Sequence, residues 1–154
     1  MRPNREAGTS LIEMMIALFV LAVGMLGVVS MQIKSMQFNQ SAYYYAQAVY
    51  LANDILESIR SNPQMRDSYM LELTDTPAAA VDCGAATALC TPAQMRDWNL
   101  ASWRERVAAQ LVSGNSAIET AGDFVTVTVQ FDDSRSEMTQ GEPILAEYTL
   151  VTEI

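Results

Sequence analysis

Between residues 11 and 31 the chain holds only apolar residues and glycine, apart from Glu13 and Ser30. About 20 such residues at the helical rise reach across bilayer hydrocarbon, so the pattern predicts a membrane-crossing helix or a signal sequence. The pattern then changes. Phe38, Ala42, Tyr45, Val49, Ala52, Leu56 and Ile59 recur in steps of four and three, which places them on one helical stripe. Gln40, Tyr43, Gln47, Tyr50, Asp54 and Glu57 fall on the other side. The same helix is therefore expected to leave the bilayer amphipathic and to stop at Asn62-Pro63, because a residue before proline is pushed out of the helical region.

Residues 65–89 contain Pro77, an alanine run and Gly84, and are expected to be mostly irregular. Thr91-Pro92-Ala93-Gln94 has the spacing of a capping box with proline at the first helical position, which predicts a second helix. Leu100, Trp103, Val107 and Leu111 give that helix its apolar stripe, and Ser113-Gly114-Asn115 should end it. In "FVTVTVQF", residues 124–131, Val125, Val127, Val129 and Phe131 alternate with Thr126, Thr128 and Gln130, the pattern of a half-buried strand. Ile144, Ala146, Tyr148, Leu150 and Ile154 alternate likewise with Glu147, Thr149 and Glu153. The two strands are expected to pair antiparallel across a polar loop ending in Gly141-Glu142-Pro143, with a further short strand near Ile118. The elements predict an α+β fold: a long N-terminal helix against a small antiparallel sheet, with a second short helix.

Length and charge narrow the classes. The 154 residues allow one modest domain beside the apolar segment. A net charge of −9 repels phosphate backbones and argues against direct nucleic-acid binding. The chain has no histidine, which removes the commonest general base and metal ligand together. No nucleophile–base spacing, phosphate loop or metal cluster is visible, so neither an enzyme nor a cofactor is expected. Asp132, Asp133 and Glu137 lack the glycine and acidic spacing of a calcium loop and are expected in a solvated loop. Tyr43, Tyr44 and Tyr45 point in three directions on a helix, so packing and not a stacking platform is expected of them. Trp98 and Trp103 are expected to be buried against the long helix or the sheet. Cys83 and Cys90 lie close together with nothing to complete a zinc site. They form a disulfide if the domain lies in an oxidising compartment and two free thiols otherwise.

The amino terminus decides between span and signal. Arg2 and Arg5 hold the leader on the cytoplasmic side and send the rest outward. A secretory cut after the apolar core fits Ala22-Val23-Gly24 poorly, because apolar residues continue beyond it. The natural cut lies before the core. Gly8-Thr9-Ser10-Leu11-Ile12-Glu13 and the apolar run resemble the class III signal of type IV prepilins and type II secretion pseudopilins. The resemblance implies prepilin peptidase cleavage between Gly8 and Thr9 and methylation of the new Thr9 amine, although the family usually has phenylalanine or methionine at that position. It also implies that Glu13 pairs with the amino terminus of a neighbouring subunit. A carboxylate in hydrocarbon costs about 2.5 to 3.5 kcal/mol at mid-membrane, so such a pair acts as a register check on assembly. The segments implied are a leader at 1–8, the membrane and assembly half of the helix at 9–31, its periplasmic half at 32–62 and the head at 63–154.

The order of span, extended helix, cysteine-bounded loop, "DWNLASWRERVAAQL" and "VTVTVQF" is similar to PilV-type minor pilins. That resemblance implies a non-enzymatic subunit, inserted once in the bacterial inner membrane with a periplasmic head and later carried into a surface pilus. It would help initiate assembly and form the tip, supporting adhesion and twitching motility. Its implied partners are the peptidase, the major pilin, other minor pilins, a tip adhesin and the inner-membrane assembly platform. A minor pseudopilin of type II secretion is the alternative, and a membrane-anchored periplasmic binding module is the alternative of a different class.

Overall fold

The computed structural model describes residues 11–85, 88–133 and 145–154. Helix α1 runs Leu11–Ser61. The contacts divide the chain into two units, Met1–Asn39 and Gln40–Ile154. In the first unit, residues 11–36 of α1 are all exposed. They include a stretch of mean hydropathy 2.5, long and apolar enough to cross a membrane.

In the second unit, α1 buries Ala48, Leu51, Ala52, Ile55, Leu56 and Ile59. This face differs from the predicted stripe. Ala52, Leu56 and Ile59 belong to both, whereas Ala42, Tyr45 and Val49 are exposed, as is Phe38 in the first unit. The cause is that residues 42–51 carry apolar side chains on every side, so periodicity alone does not select the face that the sheet covers. Tyr44, half-buried, lies 6.2 Å from Phe131 between ring centroids, and Tyr45 meets the same ring edge-on at 5.0 Å. Tyr43 is exposed.

α1 ends before Pro63, and a short 3-10 helix, Pro63–Ser68, follows. The stretch expected to be irregular thus begins with a turn of helix and also holds Leu71, which bridges to Ile118. Helix α2 spans Pro92–Gln110, and Thr91 and Gln94 make the reciprocal capping box predicted for it. Its buried stripe is Leu100, Trp103 and Val107, with Leu111 just beyond. The Trp103 indole donates to the Leu51 carbonyl at 2.8 Å, which satisfies the one polar atom of the largest buried side chain.

Three strands, β1 (Asn115–Ala121), β2 (Phe124–Asp132) and β3 (Leu145–Glu153), form an antiparallel sheet in the order β1-β2-β3. Gly122 opens the two-residue turn between β1 and β2 at a φ of 61°, a conformation that costs little without a Cβ. Ile118, Val125, Val127, Val129 and Phe131 point into one hydrophobic cluster with the buried residues of α1 and α2. Each such side chain contributes about 1.5–3 kcal/mol by leaving water. The result is the pilin-like α+β arrangement expected from the sequence.

A polar knot closes the end of this core. The buried Tyr69 hydroxyl accepts from Asn99 at 2.8 Å and from Asn62 at 3.2 Å, and Asn62 also donates to the Pro92 carbonyl at 2.8 Å. It ties the end of α1, the 3-10 helix and the start of α2 together.

Candidate functional site

Glu13 lies in the first turn of α1 and is exposed, among exposed Leu11, Ile12, Met14, Met15 and Ile16. The positive end of the helix dipole favours a carboxylate there. Exposed apolar rows continue through Met36, far beyond the patch size that soluble monomers carry, so this surface suits lipid or other protein helices. A Cβ at Gly24 or Gly27 would meet nothing within 4 Å, so both positions leave room for close approach by a neighbour. Gly8 and Thr9, the expected cleavage and methylation positions, lie outside the described residues.

The second feature is a covalently closed loop. Cys83 and Cys90 are joined by a disulfide, with Cα atoms 5.9 Å apart. The loop sits against α2: a Cβ at Gly84 would come within 2.6 Å of the Trp98 ring, so the close approach requires glycine. Trp98 is half-buried, in contrast to the fully buried Trp103. Beside it lies an open groove of about 440 Å³ lined by Pro77, Val81, Asp82, Trp98 and Arg104 among others. Arg104 donates to the Glu72 carbonyl at 2.6 Å and the Leu73 carbonyl at 3.4 Å, and so holds the chain after Leu71. Burial lowers its pKa from the ordinary arginine value and Asp75 opposes the shift; an arginine so placed stays charged.

Among the described residues no group of three potential metal ligands comes together. The loop reading of Asp132, Asp133 and Glu137 needs correction at two positions, the first being Asp132, which is the last residue of β2 and pairs with Leu145. Asp133 is buried and accepts from the Ser41 hydroxyl at 2.7 Å, since α1 passes beside the end of β2 there. Glu137 lies outside the described residues.

Two family models match the chain side by side. Residues 3–29 match the prokaryotic N-terminal methylation motif, and residues 30–101 match the family described as type IV pilin Tt1218. Together they support a type IV pilin or pseudopilin. Pilins are structural subunits, not enzymes, and the methylation motif implies processing by prepilin peptidase and assembly with other pilins. The motif and the apolar start of α1 fit a pilin anchored in the inner membrane and later part of a pilus. No curated protein and no solved structure gives a match. The second pilin match ends within α2, so the sheet lies beyond it and rests on its own geometry.

Sequence reasoning missed Tyr69 and Leu71 as structural positions. Their signal was an apolar pair two residues apart inside a polar, loop-like stretch, the mark of one short extended segment.

Proposed function

We propose that the chain is a minor pilin of the PilV type. Prepilin peptidase cuts between Gly8 and Thr9, the Thr9 amine is methylated, and residues 9–31 hold the subunit in the inner membrane until it enters a pilus. Residues 32–62 then carry a periplasmic head made by residues 63–154. The supporting observation is the fully exposed apolar first part of α1, broken near its start by the single carboxylate Glu13. In a filament, apolar faces of neighbouring helices replace lipid around that segment, so it stays out of water in both states. The liberated amine of an adjacent subunit neutralises Glu13, which makes correct stagger a condition of entry. The subunit works with the major pilin, other minor pilins and the membrane assembly platform, near a tip that carries adhesion and twitching.

Mass spectrometry of the chain from cells tests the processing: a mature terminus at Thr9 with a mass increase of one methyl group is expected, and an intact Met1 terminus would overturn it. A deletion strain tests the role. Loss of twitching with normal protein export fits the pilus; lost export with normal twitching transfers the chain to type II secretion.

A further inference from the structure

The two edges of the sheet are finished differently. At the β1 edge, Leu71 exchanges both backbone hydrogen bonds with Ile118, at 3.0 and 2.8 Å. The Asn115 side chain caps the Ser116 amide at 2.9 Å, and the Thr120 hydroxyl donates to the Asp67 carbonyl at 3.4 Å. That edge is bridged at its middle and tied by side chains on either side.

The β3 edge is not. Because Ile118 turns its backbone away from β2, the alternation of an antiparallel ladder fixes every other position. Val125, Val127, Val129 and Phe131 bond toward β3 and meet Thr152, Leu150, Tyr148 and Ala146. The backbone bonds from Asp132 to Val112 and from Ile154 to Asp123 agree with this parity. Leu145, Glu147, Thr149, Val151 and Glu153 therefore point their amides and carbonyls away from the sheet. Among the described residues no backbone group pairs with them.

Three further observations bear on what belongs there. The edge runs nine residues without proline or lysine, two of the devices that keep natural edges from pairing, and its charges are the two carboxylates Glu147 and Glu153. The core side is unfinished: β2 is fully buried at Val125, Val127, Val129 and Phe131, whereas Ala146, Tyr148, Leu150 and Thr152 are only half-covered. On the other face, Leu145 and Val151 are 57% and 59% exposed. Glu147 accepts from Gln130 at 3.0 Å and from Thr149 at 3.1 Å, so its carboxylate is aimed, yet among the described residues neither it nor Glu153 meets a cation.

We propose that the β3 edge receives an extended segment of another protein as a fourth strand, with lysine or arginine facing Glu147 and Glu153 and apolar residues covering Tyr148 and Leu150. Backbone pairing supplies the attachment, and the two carboxylates select the partner. A second copy of this acidic chain offers no cation from its own β3, which is why a basic partner and not self-pairing fits the edge. The inference rests on the sheet alone and stands whether the filament is a pilus or a secretion pseudopilus.

The test uses the full chain in detergent micelles and two nine-residue peptides of alternating valine and threonine. One carries lysine at the positions facing Glu147 and Glu153; the other carries glutamate there. The lysine peptide is expected to slow hydrogen exchange at the Glu147, Thr149 and Val151 amides and to bind at least about tenfold more tightly than its twin. Thr149→Pro removes one outward amide without touching the ladder to β2, and should weaken binding about tenfold. Glu147→Lys combined with Glu153→Lys keeps every backbone group and should reverse the preference, so a folding defect in the proline variant does not decide the matter. The proposal is overturned if the lysine peptide leaves those amides unchanged, if both peptides bind alike, or if the amides are already protected in a peptide-free dimer.

Discussion

At the scale of single residues, the most informative position is Tyr69. Its hydroxyl is fully buried and accepts from two asparagine amides belonging to different elements. Tyr69→Phe leaves both donors short of an acceptor in a buried site, which costs about 1–3 kcal/mol. Chemical unfolding should show that loss with little change in slope, since the surface exposed on unfolding is nearly the same. Gly84 fails differently. Gly84→Val places atoms where the Trp98 ring already stands, so the disulfide loop must move off α2 while the core beneath Trp103 is kept. The expected outcome is a red-shifted, more quenchable fluorescence component from Trp98 with an almost unchanged unfolding midpoint. A large drop in stability would mean that the loop packs into the core.

Elements differ in how much of themselves they announce. α2 was legible because its start is a local signal: cap, proline and reciprocal glutamine lie within four residues. β2 was legible because strict alternation has one structural meaning, and the disulfide because two cysteines share one loop. The buried face of α1 was not, since Tyr43, Tyr45, Val49 and Tyr50 compete with Tyr44, Ala48 and Leu51 for it, and the sheet decides. Asp133 was misread for a similar reason: its partner Ser41 is 92 residues away. The cysteine-bounded loop yields a prediction at this scale. Closing a ring across a separation of 7 residues removes unfolded-state entropy equivalent to about 2.5 kcal/mol at most. Replacing Cys83 and Cys90 together by serine should lower the unfolding free energy by no more than that and free Trp98, while the β-sheet signal in circular dichroism persists.

For the whole molecule, the carboxylate proposed to pair between subunits makes no contribution to the folded head. Glu13 is exposed in the first turn of α1, within Met1–Asn39, and the core residues all belong to Gln40–Ile154. Glu13→Ala should therefore leave the unfolding midpoint of the head unchanged. It should also strengthen membrane retention, because an apolar side chain replaces a carboxylate that hydrocarbon disfavours. On the proposed pairing, a subunit that is more at home in lipid is harder to extract and has also lost the charge that marks correct stagger, so its amount in sheared filaments should fall at least about tenfold. Glu13→Gln separates the two causes. It keeps the shape and much of the polarity but cannot neutralise an amine; if charge pairing sets entry, glutamine fails nearly as badly as alanine. Glu13→Asp keeps the charge on a shorter arm and should recover part of the incorporation. Comparing the three variants by immunoblot of filament and membrane fractions measures both sides of the exchange. Alanine entering filaments at the level of glutamate would show that the apolar face alone governs assembly.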